Sequence, residues 1–300
     1  MMQRVFSHYD LPHVWGVVRS YLSSRDYVSA HFACAELAEV FPLACVSPHD
    51  ETAWTVCMDA FKHRVQRMRD TKCTRFAVIA GRLDMLRYAH EHGCPWYDYA
   101  AEEAACRGYI ECLRYAYEHG CPLIGHPTSL AALHGHLECL RYVHERGCSL
   151  DRWTTARAAE NGHLECLRYA HEHGCSWHWS TPMRAAMNGH LECLRYAHEH
   201  GCPWDKWTPA WAAKRGHLEC LRYAHEHGCR WDENTTLMAA EYGHLNCLQY
   251  AHVNGCPWDD EACSYAAMNG HLECVKWLRE IGCPWNEETC ASAAGGGHLE

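Results

Sequence analysis

The sequence predicts an all-α solenoid, a row of stacked helix pairs preceded by a small helical N-terminal domain. Three observations carry this. A glycine recurs at Gly81, Gly108, Gly135, Gly162, Gly189, Gly216, Gly243, Gly270 and Gly297, always 27 residues after the last and with no insertion. It opens a run close to G-H-L-E-C-L-R-Y-A-H-E-H-G-C, whose apolar residues have helical spacing. Two helices then use up the period, leaving tight turns and no length for a strand. One supersecondary unit copied along an axis gives such a pattern.

The second helix of each unit is the more legible. In His163–Gly174 the apolar residues Leu164, Cys166, Leu167, Tyr169 and Ala170 form one stripe. Glu165 and Arg168, three apart, form a modest helix-supporting pair on the outer side. Gly174 suits a left-handed closing residue, and His171 and His173 fall in the last turn, where positive charge favours the helix dipole. The first helix is shorter and is expected to start at a capping Thr followed by Pro, as in Thr181-Pro182 and Thr208-Pro209. An Ala pair follows in each unit, from Ala104-Ala105 to Ala293-Ala294, and lets neighbouring helices approach closely. G-C-P-W-D or a variant joins the units, as in Gly201–Asp205.

The segment T-P-x-x-A-A-x-x-G-H-L-E-C-L, whole at Thr181–Leu194, resembles the ankyrin repeat. The resemblance covers about Thr71 to Glu300, as eight full repeats and a truncated ninth. In this sequence the Thr stands one residue closer to the Ala pair, and Arg184 lies nearest the place of the usual His. The unit is similar to the shortened, finger-less ankyrin repeats of large DNA viruses. That resemblance implies a protein-binding module that uses helix faces and Trp-bearing turns, with no cofactor.

Residues 1–48 are different in kind. The stretch D-L-P-H-V-W-G-V-V-R-S-Y-L from Asp10, continuing to Phe41, is similar to an F-box. Leu11, Pro12, Val14, Val17, Val18, Tyr21, Leu22, Asp26 and Cys34 match its pattern, while Ala35, Glu36 and Leu37 replace the Arg and Trp that usually follow the Cys. The resemblance implies docking of the linker subunit of a cullin-type ubiquitin ligase on Leu11, Pro12, Val14, Val18 and Leu22. In the alternative reading, of a plain scaffold or inhibitor, these helices only cap the array. Residues 49–70 read as a connecting amphipathic helix, with Trp54, Met58, Phe61 and Val65 on one stripe.

Composition narrows the function classes. A formal charge of −10 lacks the basic footprint of general nucleic-acid binding. No apolar run reaches the ~18 residues of a membrane span, and the first ten residues lack a secretory pattern. The chain holds 22 Cys and 26 His, an invitation to read zinc or disulfides. Geometry opposes both. His171 and His173 point about 200° apart on a helix, and equivalent residues of stacked units stand about 8–10 Å apart, too far for zinc ligands or for a bridge. The thiols therefore read as small buried hydrophobes of a reducing compartment, the cytoplasm or nucleus (of a host cell, for a viral protein). Cys and His that recur every 27 residues mark packing rather than one catalytic cleft, and no phosphate loop, G-x-S-x-G or H-E-x-x-H occurs. No enzyme, metal, membrane or nucleic-acid role is expected.

Trp96, Trp177, Trp204, Trp231, Trp258 and Trp285 share one turn register and read as packing between units. Other residues break the period on the first helices: Trp153, Arg157, Trp179, Arg184, Trp207, Trp211, Lys214, Met238 and Tyr265. Positions that do not repeat are free to carry specificity, and Trp, Tyr and Arg dominate binding hot spots. They form the candidate partner-binding face. The ninth unit stops at Glu300, before its second helix, so the sequence reads as a piece of a longer protein with a fraying end.

Overall fold

L-E-C-L-R-Y-A contains no helix breaker, and its single apolar stripe needs packed partners along that face. The computed structural model describes residues 51–259, 261–283 and 287–298, all of it helix and turn, with no strand among the described residues. The F-box-like residues Leu11 to Leu22 lie outside these, as does Trp285.

A long helix α1 (Glu51–Met68) comes first. Pairs follow: α2 (Thr71–Ile79) with α3 (Leu83–Glu91), α4 (Ala100–Arg107) with α5 (Ile110–Glu118), and α6 (Pro127–Leu133) with α7 (Leu137–Glu145). Next are α8 (Arg152–Glu160) with α9 (Leu164–Glu172), α10 (Thr181–Met187) with α11 (Leu191–Glu199), and α12 (Trp207–Lys214) with α13 (Leu218–Glu226). The last are α14 (Glu233–Glu241) with α15 (Leu245–Val253), α16 (Glu261–Met268) with α17 (Leu272–Glu280), and α18 (Glu287–Gly295).

The chain forms two compact units. One holds the described residues up to Ala100 together with Arg114–Cys121; the other holds Ala101–Leu113 and the described residues from Pro122 onward. In the first, Phe61 and Val65 of α1 are buried, and Phe61 stacks on Phe76 of α2 at 6.0 Å. In the second, the first helices α6, α8, α10, α12, α14, α16 and α18 pack in series, with α7, α9, α11, α13, α15 and α17 behind them. Leu140, Leu167, Leu194, Leu221 and Leu248 repeat as fully buried core residues, beside Cys166, Cys193, Cys220 and the Ala pairs. Removing one such Leu side chain costs about 3 kcal/mol.

The glycine after each first helix answers two demands at once. Gly189 has φ +76, a conformation that penalises any Cβ. A Cβ there would also stand 2.6 Å from the ring of His217, one unit on. The same approach recurs from Gly162 to His190 and from Gly216 to His244. Each ring bonds the backbone at the end of the preceding first helix, His190 at Glu160, His217 at Met187 and His244 at Lys214. The G-H dipeptide is thus an inter-unit clasp.

Two local expectations are corrected. Thr181 and Thr208 do not cap. Both are buried inside the first turn, and the N-cap residues Ser180 and Lys206 make no side-chain cap bond either. The cap comes from the turn before: Asp205 Oδ1 accepts from the Trp207 amide at 3.0 Å, and Asp232 Oδ1 from the Asn234 amide at 3.1 Å. Nor is His171 a positive end charge. Burial first, then the neighbouring His200, lowers its pKa, which disfavours the charged form. His173 does serve the helix end, donating from Nδ1 to the Tyr169 carbonyl at 2.8 Å.

Candidate interaction face

Behind the core, the second helices carry a ladder of aromatic contacts. The His171 ring lies 3.2 Å from the Tyr196 hydroxyl of the next unit and stacks on Trp177 at 4.5 Å. Trp177 Nε1 donates to the His200 carbonyl at 3.1 Å, and Arg168 lies over the Tyr196 ring at 5.5 Å. His198 with Tyr223 and His225 with Tyr250 repeat the step. Trp204 stacks on His198 at 4.0 Å and Trp231 on His225 at 3.9 Å. Trp177, Trp204 and Trp231 therefore pack between units, as their register implies.

The cysteines belong to the same packing. All the described cysteines are free thiols, most of them buried. Burial pushes the Cys166 thiol up to about 11 and those of Cys193 and Cys220 up to about 12. Such thiols are poor nucleophiles at neutral pH. No group of three His, Cys, Asp or Glu able to hold a metal converges among the described residues. No described helix is long and apolar enough to cross a membrane.

The non-repeating residues are elsewhere, along the outward side of the first helices. Positions 153, 157 and 160 of α8 lie four and three apart, on one helix face. Their counterparts supply Arg184 of α10, Trp207, Trp211 and Lys214 of α12, Met238 of α14 and Tyr265 of α16. Trp179, in the turn before α10, is 62% exposed, Trp153 40% and Trp207 37%, while Arg157, Arg184, Trp211, Lys214, Met238 and Tyr265 are half-buried. Arg157 donates to Ser129 Oγ at 2.9 Å. Lys214 Nζ stands 4.5 Å from both the Trp211 and the Tyr242 ring centroids.

The centre of this face includes a residue that sequence reasoning passed over. His178 occupies the turn position held by Asp151, Asp205, Asp232 and Asp259 in other units. It caps as the aspartate does, with Nδ1 accepting from the Ser180 amide at 3.2 Å. The Ser180 hydroxyl lies 2.7 Å from the same nitrogen and itself accepts from Arg184 Nε at 3.1 Å. Accepting in this way takes a bare Nδ1, which favours the neutral ring. Burial, then the charges of Arg152 and Arg184, lowers its pKa in agreement. Trp153 and Trp179 flank the ring at 4.2 and 5.4 Å, and Arg184 lies over Trp153 while pairing with Glu160. A histidine where the period gives aspartate was the signal in the sequence.

Family models for ankyrin repeats match this part of the chain. The model described as ankyrin repeats in three copies matches residues 155–235 and 182–256, and the one described as many copies matches 237–279. These residues are ankyrin repeats. Among solved structures, the human ASB11 ankyrin repeat domain is similar at 19% identity and TM-score 0.46, over 53% of this chain and 84% of that one. No curated protein matches. Ankyrin repeats are protein–protein interaction modules, and proteins built from them are typically non-enzymatic scaffolds.

Proposed function

We propose that the chain is a substrate-recruiting adaptor. The first-helix face holds a target protein, and residues 11 to 22 hold the linker subunit of a cullin-type ubiquitin ligase. The observation that carries target binding is the exposure of Trp153, Trp179 and Trp207. They stand on a scaffold whose turn residues Trp177, Trp204 and Trp231 are committed to packing. Exposed Trp beside Arg is the composition of binding hot spots. The ligase half rests on the F-box-like positions Leu11, Pro12, Val14, Val18 and Leu22.

The test is capture of the purified linker subunit by the full chain and by a Val18→Asp, Leu22→Asp double variant. Stoichiometric capture by the first and none by the second, with equal thermal melting of the repeats, is the expected result. Absence of capture by the unaltered chain contradicts the ligase half. Loss of repeat melting in the double variant assigns those residues to a cap.

A further inference from the structure

The first-helix face is basic in the middle and acidic towards its C-terminal end, on a chain of net charge −10. Across α8, α10 and α12 and the turn residues before and after them, the outward cations are Arg152, Arg157, Arg184, Lys206, Lys214 and Arg215. Glu160 is the one outward carboxylate on these three helices, and it is paired with Arg184. Asp151 and Asp205 are turned onto the amides of Thr154 and Trp207. Towards the C-terminal end the counterparts are Glu233, Glu241 and Glu261 of α14 and α16; on the other side α6 carries no charged residue, and Glu103 of α4 pairs with Arg107. All four unmatched tryptophans lie within the basic stretch. Arg152, Lys206 and Arg215 are exposed there, Lys206 in a 2.7 Å pair with Asp232, and Trp153, Trp179 and Trp207 are exposed in the same stretch.

We infer that this belt takes a short acidic peptide segment with aromatic or large aliphatic side chains, laid across α8, α10 and α12. The inference rests on the reading of this face as the target-binding surface and names the chemistry of its occupant. Charge complementarity selects the acid, and the tryptophans, with their polar edges and broad apolar faces, select the large side chain. The length follows from spacing. Three helices at about 8–10 Å span about 20 Å, or about six extended residues at ~3.3 Å each. Aromatics with cations also suit single-stranded nucleic acid. The carboxylates of α14 and α16 on one side and the uncharged α6 on the other bound the belt and favour a short occupant with few charges over a continuous polyanion.

The experiment pans a display library of random twelve-residue peptides against the full chain and against an Arg152→Glu, Arg215→Glu variant. Both side chains are exposed, so the fold is kept, as equal melting would verify. The expected outcome is enrichment on the unaltered chain of peptides rich in Asp or Glu with at least one aromatic residue. Synthetic copies should bind at least tenfold more weakly to the double variant and to a Trp179→Ala variant, and should weaken as salt rises. Enrichment of neutral or basic peptides that Trp179→Ala abolishes overturns the inference and leaves the target-binding reading in place. No peptide sensitive to any of these substitutions overturns both. Tighter binding of a uridine oligonucleotide than of any selected peptide, lost in the same variants, assigns the belt to nucleic acid instead.

Discussion

Single residues separate two kinds of glycine that the period makes look alike. Gly189 and Gly201 both have φ +76. A Cβ at Gly201 meets nothing within 4 Å, whereas one at Gly189 meets the His217 ring. Gly201→Ala should therefore cost only the left-handed backbone penalty, about 1–2 kcal/mol. Gly189→Ala carries that penalty and must also displace the clasp, so it should cost at least about 1 kcal/mol more. Paired denaturant titrations check this, and equal losses would show that the ring yields freely. His178 illustrates the same scale: one exchange of Asp for His keeps the cap and builds an aromatic centre around it.

Among elements, the clasp and the ladder make the stacking pH-dependent. His163, His171, His190, His198, His217 and His244 have pKa values lowered mainly by burial. Unfolded, they titrate near 6.5. Below that pH the unfolded chain binds protons that the folded rings refuse, so stability falls as pH falls towards the lower folded values. Thermal melting should drop steadily from pH 7.5 to pH 5, and His217→Gln should reduce the slope. A melting temperature flat over that range would contradict the neutral clasp. The helix pairs themselves were legible because every apolar stripe, Ala pair and closing glycine is local. The capping Thr and the charged His171 were misread because local rules placed them. Thr181 is buried against Thr155, 26 residues away, and His171 meets Tyr196, 25 residues away. The register of those partners was visible; their contact was not. The candidate face is read from positions that break the period, and of these Trp153, Trp179 and Trp207 are exposed.

For the whole molecule, the chain's residues divide by periodicity. Repeating residues hold the stack, and under the proposed function the non-repeating residues of the first helices meet the partner. The division is most directly tested by two variants of the full chain, each measured for melting temperature and for the set of proteins captured in quantitative affinity proteomics. Trp153→Ala, Trp179→Ala, Trp207→Ala should leave melting within a few degrees of the unaltered chain and remove specifically captured proteins. Leu194→Ala, at a repeating core position, should cost about 3 kcal/mol of stability while the folded fraction captures the same set. A triple variant that keeps its captured proteins, or that melts as early as Leu194→Ala, would contradict the account.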